Sequence, residues 1–149
     1  MSLPERIEED LRQALKSGDT EKVSTLRLLK SELKNSEIKG GRPLKDEEVE
    51  AVIARSIKRR RESIDSFRTG EREDLATAEE RGLATLQGYL PEPLTEAELV
   101  ILIDRKLAEF GSSQPGPIIG AVKAEAGSRA EGGRIAELVT ERLKARSGG

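Results

Sequence analysis

Lys58-Arg59-Arg60-Arg61 is the densest run of positive charge in this 149-residue sequence. Arg27, Lys30 and Lys34 form a second set, at positions i, i+3 and i+7. Lys39 and Arg42 prolong it. Side chains at that spacing share one face of a helix. A row of Lys and Arg on one face can track the phosphates of a nucleic-acid backbone, whereas the same row is more often a solvated surface. Aromatic residues amount to 2% of the chain, with Tyr89, Phe67 and Phe110 the whole set. Stacking on unpaired bases is therefore disfavoured, and the shape and backbone of a folded RNA become the fitting target.

Arg60 stands apart from its neighbours. On a helical wheel of about 100° per residue, Lys58 points away from the apolar stripe, and Arg59 and Arg61 fall on its two flanks. Arg60 falls inside the stripe, between Val49, Ile53 and Ile64. A guanidinium there needs a partner or an opening. Two readings stay open: a buried ion pair with one of the many carboxylates, or a ligand-facing arginine at a seam between helices.

Other chemistry is hard to find. Histidine and cysteine are both absent. This removes the commonest general base, the commonest transition-metal ligand, and any disulfide or thiolate site. Glu47, Glu48 and Glu50 form an acidic run, but they open a helix, where the macrodipole favours them. No glycine-rich loop joins a strand to a helix, and no nucleophile–base pair is visible. No catalytic residue, metal ligand or cofactor is nominated.

The elements that position these residues are helical throughout. Ser2-Leu3-Pro4-Glu5 is a capping box with proline in the first turn, followed by Leu3, Ile7, Leu11 and Leu15, and ended by Gly18. Asp19 caps a second helix with the stripe Val23, Leu26, Leu29 and Leu33, running to about Lys39. Asp46, Glu47 and Glu48 open a third, with Val49, Val52, Ile53, Ile57, Ile64 and Phe67 inward and Gly70 at its close. A fourth spans about Arg72 to Gly88, with Leu75, Leu83 and Leu86 inward; Gly82 interrupts it, a position suited to close packing.

Tyr89-Leu90-Pro91-Glu92-Pro93 cannot continue a helix, since two prolines remove donors and bias the residues before them to extended shapes. The predicted organisation is an N-terminal helical subdomain, 1–92, and a C-terminal three-helix subdomain, 93–149, joined by this hinge. In the latter, Thr95 to Glu98 is a capping box, and Leu99, Leu102, Ile103 and Leu107 carry a helix to Gly111. Ser112 to Gly116 reads as a loop, Pro117 to Ala126 as a short helix, and Gly127 to Gly133 as a flexible corner. Ile135, Leu138, Val139 and Leu143 mark the last helix, and Ser147-Gly148-Gly149 is expected to fray.

Charged residues make up 36% of the chain and hydrophobic ones 35%, with a net charge of −2. Residues 1–92 hold 18 basic and 20 acidic side chains, and residues 93–149 hold 8 of each. Bulk charge does not announce a nucleic-acid binder, so any such site depends on local clustering. No apolar run approaches the roughly 20 residues of a membrane span. The polar, acidic start of the chain does not resemble a signal peptide. These features predict a soluble, cytoplasmic protein without a membrane partner.

Several segments together resemble a known family. Leu26-Arg27-Leu28-Leu29-Lys30-Ser31-Glu32-Leu33-Lys34 is similar to its N-terminal motif. Lys58-x-Arg60-Arg61-Glu62-Ser63-Ile64, then Gly70-x-Arg72-x-Asp74-Leu75-Ala76 and Glu79, is similar to its central one. Tyr89-Leu90-Pro91 with Leu94-Thr95-Glu96 resembles its hinge, and Arg129-Ala130-Glu131 ahead of Ile135 its C-terminal corner. From Leu3 to Leu143 the chain resembles the YqeY family, related to the tail domain of the B subunit of tRNA-dependent amidotransferase (GatB).

That resemblance implies an all-α, multihelical fold in two subdomains, and tRNA as a partner. It implies assistance to an amidotransferase or an aminoacyl-tRNA synthetase; DNA is not expected. The family's label of carbon–nitrogen ligase activity with glutamine as amido-N-donor reads as inherited from the full amidotransferase, whose active sites are elsewhere. The implied RNA contacts are Arg27, Lys30, Lys34, Lys58 and Arg61, with Arg60 orienting a groove between the second and third helices. Arg129 and Arg134 would give a weaker second contact. The family's Asp-Met-Gly-Lys loop is replaced here by Gln114-Pro115-Gly116-Pro117, which shifts the weight to the N-terminal cations. The alternative is a protein-docking adaptor without RNA contact; an amidase acting alone would need a nucleophile–base pair that is not visible.

Overall fold

The computed structural model describes residues 1–111 and 114–148, and these are all-helical, with no strand among them. Seven α-helices and one short 3-10 turn follow in order among the described residues: α1 (Leu3–Ser17), α2 (Thr20–Gly40), α3 (Asp46–Thr69), α4 (Glu73–Gln87), α5 (Glu96–Phe110), α6 (Pro115–Ala126), the 3-10 turn Gly127–Arg129, and α7 (Gly132–Gly148). The chain divides into two compact units, Met1–Leu90 and Pro91–Gly149.

Local chemistry accounts for the helix ends. Ser2 Oγ accepts from the Glu5 amide at 3.3 Å and Asp19 Oδ1 from the Lys22 amide at 3.1 Å. Thr95 and Glu98 satisfy each other's backbone amides at 3.1 and 3.0 Å. Each cap contributes on the order of 1 kcal/mol. Gly18, Gly41 and Gly111 stop α1, α2 and α5 with positive φ.

In the first unit, Leu3, Ile7 and Leu11 of α1 and Leu26, Leu29 and Leu33 of α2 share a core with Val49, Val52, Ile53 and Ile57 of α3. Leu86 and Tyr89 close it. Each fully buried Leu or Ile contributes roughly 1.5–3 kcal/mol relative to exposure. One member of the expected α1 stripe is displaced: Leu15 is 52% exposed, and Ala14 is buried instead. A spacing of four overshoots the helical period by about 40° each time. After three steps Leu15 has drifted about 120° from Leu3, whereas Ala14 lies almost above it. Leu75, Leu83 and Phe67 are half-buried rather than fully inward.

The second unit packs α5, α6 and α7 around Leu102, Ile103, Leu107, Ile118, Val122, Ile135, Leu138 and Val139. α6 begins at Pro115, two residues before the expected start, because Pro115 occupies the first helical position, where a missing amide costs nothing. Of the expected loop, Ser112 and Ser113 lie outside the described residues. The expected flexible corner, Gly127 to Gly133, is instead ordered structure. Its first residues form the 3-10 turn, and Gly132 and Gly133 already belong to α7. The Leu94 amide donates to the Arg129 carbonyl at 2.9 Å, and Arg129 Nε donates to the Glu92 carbonyl at 2.8 Å, which pins this corner. Helix α7 extends through Ser147 to Gly148, where fraying was expected; Gly149 lies outside the described residues.

Candidate functional site

A groove of about 510 Å³ runs between α2 and α3. Its α2 wall is Glu32, Asn35 and Ser36; its α3 wall is Arg55, Lys58, Arg59 and Glu62, with Val52 between them. The α3 residues follow at i, i+3, i+4 and i+7, so one helical face presents all four. The opposite face of α3 carries Val49, Ile53, Ile57 and Ile64 into the core, so packing fixes the direction in which the cations point.

The groove's cations differ in how they are held. Arg59 Nη2 stands 2.6 Å from Glu32 Oε2, across the groove. Arg55 and Lys58 are exposed and form no ion pair among the described residues. Arg61 is exposed and lies outside the groove wall. At the α2–α3 turn, Arg42 grips Glu48 with two hydrogen bonds, at 2.7 and 3.1 Å. This contact, aided by the Lys45 amide, holds the Glu48 carboxyl below its usual range. Arg42, one of the two residues prolonging the second basic set, is thus committed internally.

Arg60 resolves into the ion pair. Its Nη1 donates to Glu79 Oε2 of α4 at 3.0 Å, and its side chain is 15% exposed. The guanidinium lies against Gly82, where a β-carbon would stand 2.3 Å from Nη1 and 3.0 Å from Thr25 Oγ1 of α2. It therefore ties α3 to α4 beneath the site, rather than lining the groove.

Arg27, Lys30 and Lys34 do share a face, but not the groove's face. Lys30 and Lys34 each lie two residues from Glu32, about 200° around the helix. Lys30 Nζ reaches back to Glu8 of α1 at 2.6 Å. Arg27 borders another pocket of about 420 Å³ at the α1–α2 turn, with Leu15, Val23 and Ser24. Lys34 is exposed, with no ion pair among the described residues.

In the second unit, both candidate cations are engaged. Arg129 staples the Glu92 carbonyl, as described above. Arg134 bridges Glu137 and Glu96, each at 2.8 Å. Sequence reasoning passed over Arg55, Asn35 and Ser36. The signal that finds Arg55 is its register with Lys58, Arg59 and Glu62, visible once α3 is known to face α2 there. Among the described residues no group of three or more Asp or Glu side chains is placed to hold a metal. No helix among them is long and apolar enough to cross a membrane.

A family model of Yqey-like proteins matches residues 4–143. The chain belongs to the YqeY-like family. Among YqeY-like relatives, a protein of Pyrenophora tritici-repentis named "Altered inheritance of mitochondria protein 41, mitochondrial" is 32% identical over 130 residues, 84% of this chain and 71% of the relative. An uncharacterized protein of Schizosaccharomyces pombe is 37% identical over 87 residues, 58% of this chain and 70% of its own length. A protein of Eremothecium gossypii with the same name as the first is 32% identical over 110 residues, 72% of this chain and 60% of the relative.

These names correct one expectation. The cytoplasmic address does not stand, because several YqeY-like relatives are named as mitochondrial proteins. The composition argument could not see this. The absence of an apolar span speaks only to crossing a membrane by a helix, and aqueous compartments on either side of one select the same kind of surface.

Proposed function

We propose that this YqeY-like chain is a tRNA-binding helical module that assists an amidotransferase or an aminoacyl-tRNA synthetase. The observation that carries the reading is the α2–α3 groove, whose Arg55 and Lys58 are exposed and, among the described residues, in no ion pair. Cations left unneutralised on a rigid helix face are what a phosphate backbone requires. Arg61 outside the groove wall and Arg27 and Lys34 on the other face of α2 add positive charge around it, Arg60 ties α3 to α4, and Arg129 and Arg134 contribute least because their guanidinium groups are already committed. The similarity of the motifs to the amidotransferase tail domain supports tRNA over other RNA. The relatives' names support a mitochondrial setting.

The test is fluorescence anisotropy of labelled tRNA at two salt concentrations, with wild type and with Lys58→Glu/Arg61→Glu, after circular dichroism confirms both are helical. Wild-type binding should weaken steeply with salt, and the double variant should lose it. Binding that ignores salt, or a helical wild type that does not bind, sinks the reading.

A second reading, docking to a protein, is favoured by the pocket at the α1–α2 turn, where Leu15 is 52% exposed beside Val23 and Arg27. Capture of a synthetase or amidotransferase that survives nuclease treatment and is lost in Leu15→Asp would select it.

A further inference from the structure

We infer that Glu32 is an internal competitor for the anionic ligand of the α2–α3 groove: it occupies Arg59 in the free protein and must release it when a phosphate backbone enters. The inference rests on the RNA-binding reading given above and deepens it, by assigning a selectivity role to an acidic residue inside a basic site.

The geometry supports an exchange rather than a permanent strut. Glu32 and Arg59 face each other from opposite walls of the groove, with Oε2 and Nη2 at 2.6 Å. The two ends of the pair are unequally held. The Glu32 side chain is 15% exposed, and that of Arg59 is 60% exposed. Glu32 Oε2 is buried and has no aligned hydrogen-bond partner, so the contact is chiefly Coulombic. A buried carboxylate oxygen without hydrogen bonds is an imperfectly satisfied anchor. Arg59, whose side chain stands mostly in water, can swing from it to another oxyanion at little cost in burial. Phosphate offers a guanidinium what Glu32 does not, two aligned acceptors.

The consequence is a threshold. A weak or isolated anion cannot outbid a carboxylate already in place. A backbone that engages Arg55 and Lys58 together brings Arg59 a competing phosphate at high local concentration. Glu32 thereby lowers affinity for single anions more than for a strand, and Arg59 contributes to the salt dependence only after it has been released. Arg60 is unsuited to such an exchange, since its guanidinium is enclosed by Gly82 and Glu79.

The test compares Glu32→Gln with Glu62→Gln in the full chain, titrated with labelled tRNA and, separately, with labelled heparin as a polyanion that is not RNA. Both variants remove one negative charge from the groove wall, but only the first frees Arg59. Glu32→Gln should bind more tightly than Glu62→Gln with the wild-type salt slope, because Arg59 meets one phosphate in either bound state. In the Arg59→Gln background the gain from Glu32→Gln should shrink to that of Glu62→Gln. Equal gains from the two variants, or an excess of the Glu32→Gln gain over the Glu62→Gln gain that survives loss of Arg59, overturns the inference. Heparin binding with this coupling, but no tRNA binding, keeps Glu32 as competitor and overturns the tRNA reading alone. Absence of binding to either polyanion overturns both. The Arg59 Nε–H resonance gives an independent readout: it should shift when wild-type protein is saturated, and a resonance unchanged in bound protein also sinks the exchange.

Discussion

The guanidinium of Arg60 occupies the space that a side chain at position 82 would need: a β-carbon there would stand 2.3 Å from Nη1 and 2.7 Å from Cζ. Glycine in a helix interior is ordinarily unfavourable by about 1 kcal/mol relative to alanine, so Gly82→Ala would stabilise α4 if nothing else changed. Here the new methyl forces Arg60 away from Glu79, and moving a largely buried charge off its partner costs more than the propensity gain. We expect Gly82→Ala to destabilise the first unit by roughly 1–2 kcal/mol. In an Arg60→Ala background the same change should become neutral or stabilising. A double-mutant cycle by urea denaturation, read from helix signal, measures that reversal; additive effects would mean the two residues are not coupled.

Tyr89 is the chain's single tyrosine, and its ring is buried in the first unit's core. Burial raises its hydroxyl pKa above the ordinary 10.0, and the hydrogen bond it donates to Asp10 raises it further. Arg6, 5.2 Å over the ring, acts weakly in the other direction. The folded pKa exceeds the unfolded one, so the stabilisation is complete below pH 10 and is lost as pH rises above it. Because no other tyrosine contributes, tyrosinate absorbance follows this group alone. Ionisation should coincide with loss of helix in the first unit, and Tyr89→Phe should unfold without that alkaline dependence. A tyrosinate signal appearing at the ordinary value in folded protein would contradict this.

What the sequence made legible follows the range of each interaction. Caps act over three residues, and Ser2, Asp19 and Thr95 are found doing what their spacing predicts. The wheel placed Arg60 on the core side of α3, where it is. A wheel describes one helix, however, and not what packs against it. It could not tell that Glu32 faces Arg59 while Lys30 and Lys34, two positions either side, face away. Nor could glycine content distinguish a mobile corner from one pinned by Arg129, since the bonds to Glu92 and Leu94 join residues more than thirty positions apart.

The end of α3 shows the same limit at a distance of one residue. Gly70 reads as the stop, but its φ is −83°, and Glu71 takes the left-handed conformation at φ 59°. The Arg72 amide then reaches the Phe67 carbonyl at 2.7 Å, closing the last turn. A residue with a β-carbon is strained in that region by roughly 1–2 kcal/mol, part of which glycine would return as chain entropy in the unfolded state. Glu71→Gly should therefore stabilise the first unit by about 0.5–1 kcal/mol, and Glu71→Val should destabilise it. Thermal denaturation of the two variants decides this; a destabilising glycine would show that the Glu71 side chain makes a contact worth more than its strain.

The two basic faces of the first unit can be separated by charge reversal. Arg55 and Lys58 stand on the α3 wall of the groove with no ion pair among the described residues, whereas Arg27, Lys30 and Lys34 lie on the far side of α2, with Lys30 held by Glu8. A rigid phosphate backbone seated in the groove meets the first pair and not the second set. Arg55→Glu/Lys58→Glu should remove roughly 0.7–0.9 unit of salt slope per lost phosphate contact, together with most of the affinity for tRNA. Lys34→Glu should lower affinity by long-range repulsion only, an effect that vanishes once salt shortens the screening length to a few ångströms. Lys30→Glu should act chiefly on stability, by setting two carboxylates against each other where α1 meets α2. If Lys34→Glu instead flattens the salt slope as strongly as the groove variants do, the RNA lies along the outer face of α2 and the groove is not its seat.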